Sequence, residues 1–150
     1  LIPVIYEDDQ YIVFNKPSGL VVIPTPAKET KTLVSLVNSQ YASEITYKLH
    51  PCHRLDRDTS GVIIFAKGKK AQQKMMALFE SHKIRKVYRA FVNGKMAKKC
   101  GEFRKAVIDY DEKKFRPQSV PKEAVTKYKV IKQYDRFADV EVEILTGRTN

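Results

Sequence analysis

Cysteine is scarce in this chain, with only Cys52 and Cys100 among 150 residues. Two are too few for a disulfide framework, and a reducing cytoplasm is the simplest home for them. Long apolar runs are missing as well. None approaches the length of a membrane span, and no signal-peptide pattern opens the sequence. There is no glycine-rich phosphate loop, which removes support for nucleotide hydrolysis. No internal repeat, low-complexity segment or linker divides the sequence, and 150 residues suit one domain with a real core. His50, Cys52 and His53 lie close together, but their spacing fits no standard zinc frame and no fourth ligand is evident. A cysteine nucleophile is equally unsupported, since such Cys–His pairs meet in space rather than as sequence neighbours.

Acidic residues are also short. Asp plus Glu number 17 against 28 Lys plus Arg, a formal net charge of +11. An excess of that size points to a polyanionic partner, most economically nucleic acid, which binds through phosphate neutralisation and counterion release. A merely basic cytosolic protein would show the same number. Hydrophobic residues at 43% and charged residues at 30% describe a soluble globular chain.

Pro51–Lys67, PCHRLDRDTSGVIIFAK, is the densest stretch of chemistry. His53, Arg54, Asp56, Arg57, Asp58, Thr59, Ser60 and Gly61 fill one short polar run. The apolar run Val62–Ala66 follows and reads as a buried strand. A polar loop joined to a buried strand holds a side chain rigidly, and Asp56 is the candidate. Arg54 and Arg57 flank it, and nearby positive charge keeps a carboxylate ionised. Ordinary turn chemistry explains the same residues, and composition and spacing do not choose between the two.

Around this stretch the pattern predicts strands at Val4–Glu7 and Tyr11–Asn15, joined by the polar turn Asp8–Gln10. Pro17, Gly19, Pro24 and Pro26 mark a loop. Lys16 borders it, either touching phosphate or substrate or simply solvated. Thr32–Tyr41 reads as a short helix capped by Thr30 or Thr32. Lys69–His82 is the clearest helix, with Ala71, Met75, Leu78, Phe79 and His82 on its apolar stripe. Strands follow at Val87–Val92 and Phe103–Asp109, then a loop over Tyr110–Glu123. Val125–Tyr134 and Phe137–Leu145 close the pattern as a strand pair. Meandering strands with two helices argue an α+β fold, a mainly antiparallel mixed sheet with a few helices.

HRLDRDTSG followed by an apolar strand and Lys67 resembles the central motif of the RluA-type pseudouridine synthases. Three further matches fall in order: Asn15–Val22 (NKPSGLVV), Lys86–Gly94 (KVYRAFVNG) and Leu145–Thr149 (LTGRT). Four ordered matches spanning most of the chain are far more specific than one short pattern. The resemblance implies the synthase catalytic-domain fold, incomplete at its C-terminal end. It implies isomerisation of specific uridines in structured RNA, ribosomal or transfer, by breaking the N-glycosidic bond and rejoining the base through carbon. It also implies that Asp56 is the catalytic carboxylate, acting on ribose or uracil or assisting glycal formation. A carboxylate suits such work because it can stabilise or trap a cation-like sugar centre. The target must leave its stack before a protein can act on it. By resemblance, Arg54 aids that extrusion, Tyr88 packs on the uracil, and Arg148 belongs to the substrate site. Lys67, Lys69, Lys70, Lys74, Lys83, Arg85 and Lys86 are the candidates for contacts to the RNA backbone. No cofactor, metal, membrane or obligate protein partner is implied.

One departure stands out. The family's last motif usually continues TGRTHQ, an apolar residue and a second arginine, whereas here Asn150 stands where histidine is usual. The chain therefore reads as part of a catalytic domain, inactive or nearly so by itself. Asp56 is expected to be partly buried beside the position that second arginine would occupy. Two other readings compete. One is a non-catalytic RNA-binding module that retains the fold. The other is a hydrolase of free nucleosides or other glycosides, whose small neutral substrate gives no reason for +11.

Overall fold

The computed structural model describes residues 1–26, 29–107, 110–111, 116–117 and 122–146. The chain divides into two compact units, Leu1–Ser81 and His82–Asn150. Among the described residues every strand pair is antiparallel.

The first unit contains β1 (Val4–Glu7), β2 (Tyr11–Lys16), α1 (Leu33–Gln40), β3 (Leu49–Pro51), β4 (Gly61–Lys67) and α2 (Lys69–Glu80). Its four strands lie in the order β1-β2-β4-β3. The β1–β2 turn forms because the Asp8 carboxylate accepts the backbone N–H groups of Gln10 (2.8 Å) and Tyr11 (2.7 Å). Those two bonds also lower the pKa of Asp8. Register follows from alternation. Ile12 stands opposite Phe65 and Phe14 opposite Ile63, and all four are fully buried. Each such side chain contributes about 1.5–3 kcal/mol by leaving water. Phe14 meets the ring of Phe65 edge-on at 5.4 Å and that of Tyr41, the residue ending α1, at 6.2 Å.

Helix α1 starts at Thr32, where a reciprocal capping box with Ser35 satisfies two terminal donors. The opposite sheet face packs on α2. There Cys52, Ala66 and Ala71 form a buried cluster with Tyr11, Ile64, Met75 and Phe79 around it. Contact follows the i, i+4 row 71, 75, 79. Two expected members of the stripe are corrected: Leu78 is 38% exposed, and His82 is exposed beyond the helix end. His82 has φ 54°, so the chain has already left the helical path there.

The second unit contains β5 (Lys86–Asn93), β6 (Cys100–Val107), β7 (Tyr110–Asp111), β8 (Arg116–Pro117), β9 (Lys122–Gln133) and β10 (Phe137–Ile144). The main sheet runs β5-β10-β9-β6, and β7 and β8 form a small separate pair within the expected loop. Strand order is encoded in charge. The acidic stripe Asp139, Glu141, Glu143 on β10 faces Lys132, Lys129 and Lys127 of β9 across the ladder. From the β5 side Arg89 donates to Asp139 (2.8 Å), and Arg85, just before β5, donates to Glu143 (3.0 and 3.2 Å). An acidic strand between two basic neighbours favours this pairing over its alternatives. At one end of the sheet, Gln133 locks two turns together. Its side chain accepts the N–H of Met96 (3.0 Å) and donates to the carbonyls of Tyr134 (2.7 Å) and Phe137 (2.9 Å). No helix among the described residues is long and apolar enough to cross a membrane.

Candidate active site

In the first unit two motif loops leave the sheet side by side. β2 ends at Lys16, which pairs with Gly61 at the start of β4, so the loop after β2 and the loop before β4 share one edge. The second loop is pinned at both ends. The N–H of Cys52 reaches the carbonyl of Ile64 (2.9 Å), and the N–H of Ile64 donates to His53 Nε2 (3.1 Å). The imidazole of His53 also lies 4.5 Å from the Phe79 ring. Leu55 is buried and anchors the middle of the loop, while its neighbours Arg54 and Asp56 are exposed. A turn then closes, with the N–H of Thr59 on the carbonyl of Asp56 (3.2 Å). Buried Leu55 thus presents two charged side chains outward at fixed spacing.

Lys16 is the residue whose role sequence reasoning left open. It has no exposed surface, and its ammonium donates to the carbonyls of Pro17 and Arg57, both at 2.9 Å. Ser18 Oγ adds a bond to the carbonyl of Asp58 (2.8 Å). Together they tie the NKPSG loop to the HRLDRD loop. Burial pushes the Lys16 pKa down, and the carboxylates of Asp58 and Asp56 pull it partly back up. Lys16, from the other motif, therefore lies within electrostatic reach of Asp58 and Asp56. Arg57, next to Asp56 in sequence, pairs with Glu29 at 2.8 Å. The expectation of a partly buried Asp56 is corrected, because Leu55 takes the buried position and the next side chain turns to solvent.

Cys52 is buried, and burial alone pushes its thiol up to about 12. It is a protonated core residue and no nucleophile.

Tyr88 is half-buried in the middle of β5, opposite Val142 of β10, which in turn faces Tyr128 of β9. Of the LTGRT motif, Leu145 and Thr146 are described. Leu145 N–H bonds the carbonyl of Val125 (3.0 Å), and Thr146 Oγ1 accepts the N–H of Val125 (2.7 Å). Arg148 lies outside the described residues.

The basic candidates divide. Lys69, Lys70 and Lys74 are exposed on α2, and Lys83 is exposed after it. Lys67 is not a free cation: Glu7 holds its ammonium at 2.7 Å, and only 14% of the side chain is exposed. Arg85 is likewise committed to Glu143, and Lys86 is half-buried.

Solved structures place the fold first. Human RNA Pseudouridylate Synthase Domain Containing 4 superposes with a TM-score of 0.80 at 24% identity, over 97% of this chain and 60% of that one. The family model described as RNA pseudouridylate synthase matches residues 10–150. An RNA pseudouridine synthase of Aquifex aeolicus, itself uncharacterised, is 36% identical over 99% of this chain and 50% of its own length. The tRNA pseudouridine synthase C of Haemophilus ducreyi is 34% identical over 97% of this chain and 57% of its own length. The chain belongs to the RNA pseudouridylate synthase family, in its RluA-type branch. It spans about half the length of these curated relatives.

Proposed function

We propose that this chain is the catalytic portion of an RNA pseudouridine synthase that isomerises specific uridines in structured ribosomal or transfer RNA, with Asp56 as the catalytic carboxylate. The observation that carries the reading is the pair of tied loops. Leu55 anchors Asp56 and Arg54 at the surface, and Lys16 holds the loop from below. An exposed carboxylate on a fixed loop suits a macromolecular substrate that brings its reacting sugar to the protein. Arg54 is exposed and makes no hydrogen bond or ion pair among the described residues, which leaves it available to occupy the space of an extruded base. Tyr88 offers a flat face for the uracil, and base–aromatic stacking is worth about 1–3 kcal/mol. Arg148, outside the described residues, is assigned to substrate binding by its motif alone. These 150 residues cover half of the relatives' length, and we expect them to turn over slowly or not at all by themselves.

The test uses the full-length parent and cellular RNA lacking its modification, followed by mapping of pseudouridine. New pseudouridine at a defined position is expected from the parent protein. Asp56→Asn should retain RNA affinity and lose turnover. Absence of new pseudouridine on any ribosomal or transfer RNA would overturn the assignment.

A further inference from the structure

The second unit carries an aromatic and basic cluster that the catalytic reading does not use. It lies where the loop after β5 meets the β9–β10 turn, joined by a bond from Gly94 N–H to the carbonyl of Arg136 (2.7 Å). Phe91 is 71% exposed, which is far from its usual environment. Its ring meets Phe137 edge-on at 5.9 Å, Phe137 stacks on Tyr134 at 4.3 Å, and the Lys132 ammonium stands 4.9 Å from the Tyr134 ring. Phe91, Phe137 and Arg136 line an open hollow of about 470 Å³. Lys95, Lys132 and Arg136 are all exposed, and none has a carboxylate partner among the described residues.

We infer that this cluster is an accessory stacking site for unpaired nucleotides of an RNA strand, built from residues other than those of the Asp56 loop. The inference rests on the RNA reading above and adds a second place where RNA is held. Its chemistry distinguishes the occupant. Protein interfaces deplete lysine, and an apolar partner would leave three cations desolvated and unpaired. A nucleotide instead supplies a flat base for the exposed Phe91 face and phosphates for the cations around it, the combination used for single strands. The Gln133 bonds hold both turns, so the rings are set before a ligand arrives.

The probes are a fluorescein-labelled 12-residue oligouridylate and a duplex RNA of equal length, titrated against the full chain by anisotropy. Phe91→Ala should weaken single-strand binding about tenfold, as removal of one stacked base implies. Phe91→Tyr, which keeps the aromatic face, should restore it. Lys132→Gln with Arg136→Gln should flatten the plot of log affinity against log salt by about 0.7 for every phosphate no longer neutralised. Phe91 is exposed, so its removal opens no core cavity, and unchanged circular dichroism verifies the fold. Unchanged single-strand affinity for Phe91→Ala overturns the site. Equal weakening for single strand and duplex reduces it to a basic surface and also overturns it. A change from dimer to monomer in sedimentation assigns Phe91 to a second copy of the chain instead. Pseudouridine mapping with Asp56→Asn reports catalysis, whereas oligonucleotide binding reports this site, so either conclusion can fail alone.

Discussion

Lys16 shows how one residue can tie two motifs together. A lysine with no exposed surface is unusual, because its ammonium must find partners when it leaves water. Here the partners are backbone carbonyls of Pro17 and Arg57, one from each loop. Lys16→Met keeps most of the stem packing and removes the donor. Both carbonyls are then without their charged partner, and a drop of about 1–3 kcal/mol in urea unfolding is expected. A midpoint unchanged from wild type would show that water replaces the ammonium without cost. Glu29 makes a related clamp. Its carboxylate accepts the N–H (2.9 Å) and hydroxyl (2.8 Å) of Thr25 and pairs with Arg57. The Thr25 backbone bond, with the Thr25 hydroxyl next, lowers its pKa from 4.5 to about 2. Because the folded value lies below the unfolded one, the ionised form stabilises the fold. That contribution is complete above pH 4.5 and disappears as pH falls toward about 2. Glu29→Gln should therefore lower stability at neutral pH and flatten the stability profile within this window. Parallel profiles for wild type and Glu29→Gln between those limits would refute the clamp.

At the scale of elements, alternation and capping carry most of the fold. β2, β4, β5 and β10 lie within a residue or so of their predicted spans, because each has one buried or half-buried face. β3 escapes a reading by pattern because Leu49–Pro51 is three residues long and includes proline, which normally argues against a strand. The buried Lys16 is illegible for a different reason. Nothing local requires it, since its carbonyl partners include one 41 residues away. Asp56 is legible through its motif, but its exposure is not, because the anchoring residue is its neighbour Leu55. Sheet contacts also decide a glycine in β6. Gly101 faces Tyr128, and a Cβ there would stand 2.7 Å from the Tyr128 ring. That ring stacks on Phe103 at 5.1 Å. Alanine at this position would normally gain about 0.5–1 kcal/mol in a strand. Displacing Tyr128 costs a stacking interaction of about 0.5–1.5 kcal/mol. Gly101→Ala should thus leave net stability within about 1 kcal/mol of wild type while moving the Tyr128 ring off Phe103. Unaltered ring-current shifts of the two aromatics in a proton NMR spectrum would contradict the crowding.

Over the whole molecule, a net charge of +11 is useful to an RNA partner only where the cations are free to meet phosphate. Ion pairing divides them sharply. Glu7 holds Lys67, Glu29 holds Arg57, Glu143 holds Arg85 and Asp139 holds Arg89. Lys69, Lys70 and Lys74 stand exposed on α2 without such partners among the described residues. The salt dependence of RNA binding should follow this division and not the count of basic residues in the sequence. Removing one phosphate-neutralising cation lowers the slope of log affinity against log salt by about 0.9 on duplex RNA if it follows the B-DNA relation, and by about 0.7 on a single strand. The triple variant Lys69→Gln, Lys70→Gln, Lys74→Gln should therefore flatten the slope by about 2 on a single strand and about 3 on a duplex, whatever the RNA sequence, since binding to phosphate carries no sequence information. Lys67→Gln is the internal control. It removes one formal charge, as each α2 substitution does, but that charge is already neutralised by Glu7, so the slope should hold while thermal stability falls slightly. Slopes from titrations at four or more salt concentrations separate the cases. If Lys67→Gln flattens the slope as much per charge as the α2 triple does, long-range net charge governs binding. If the triple leaves the slope intact, the RNA lies against another face.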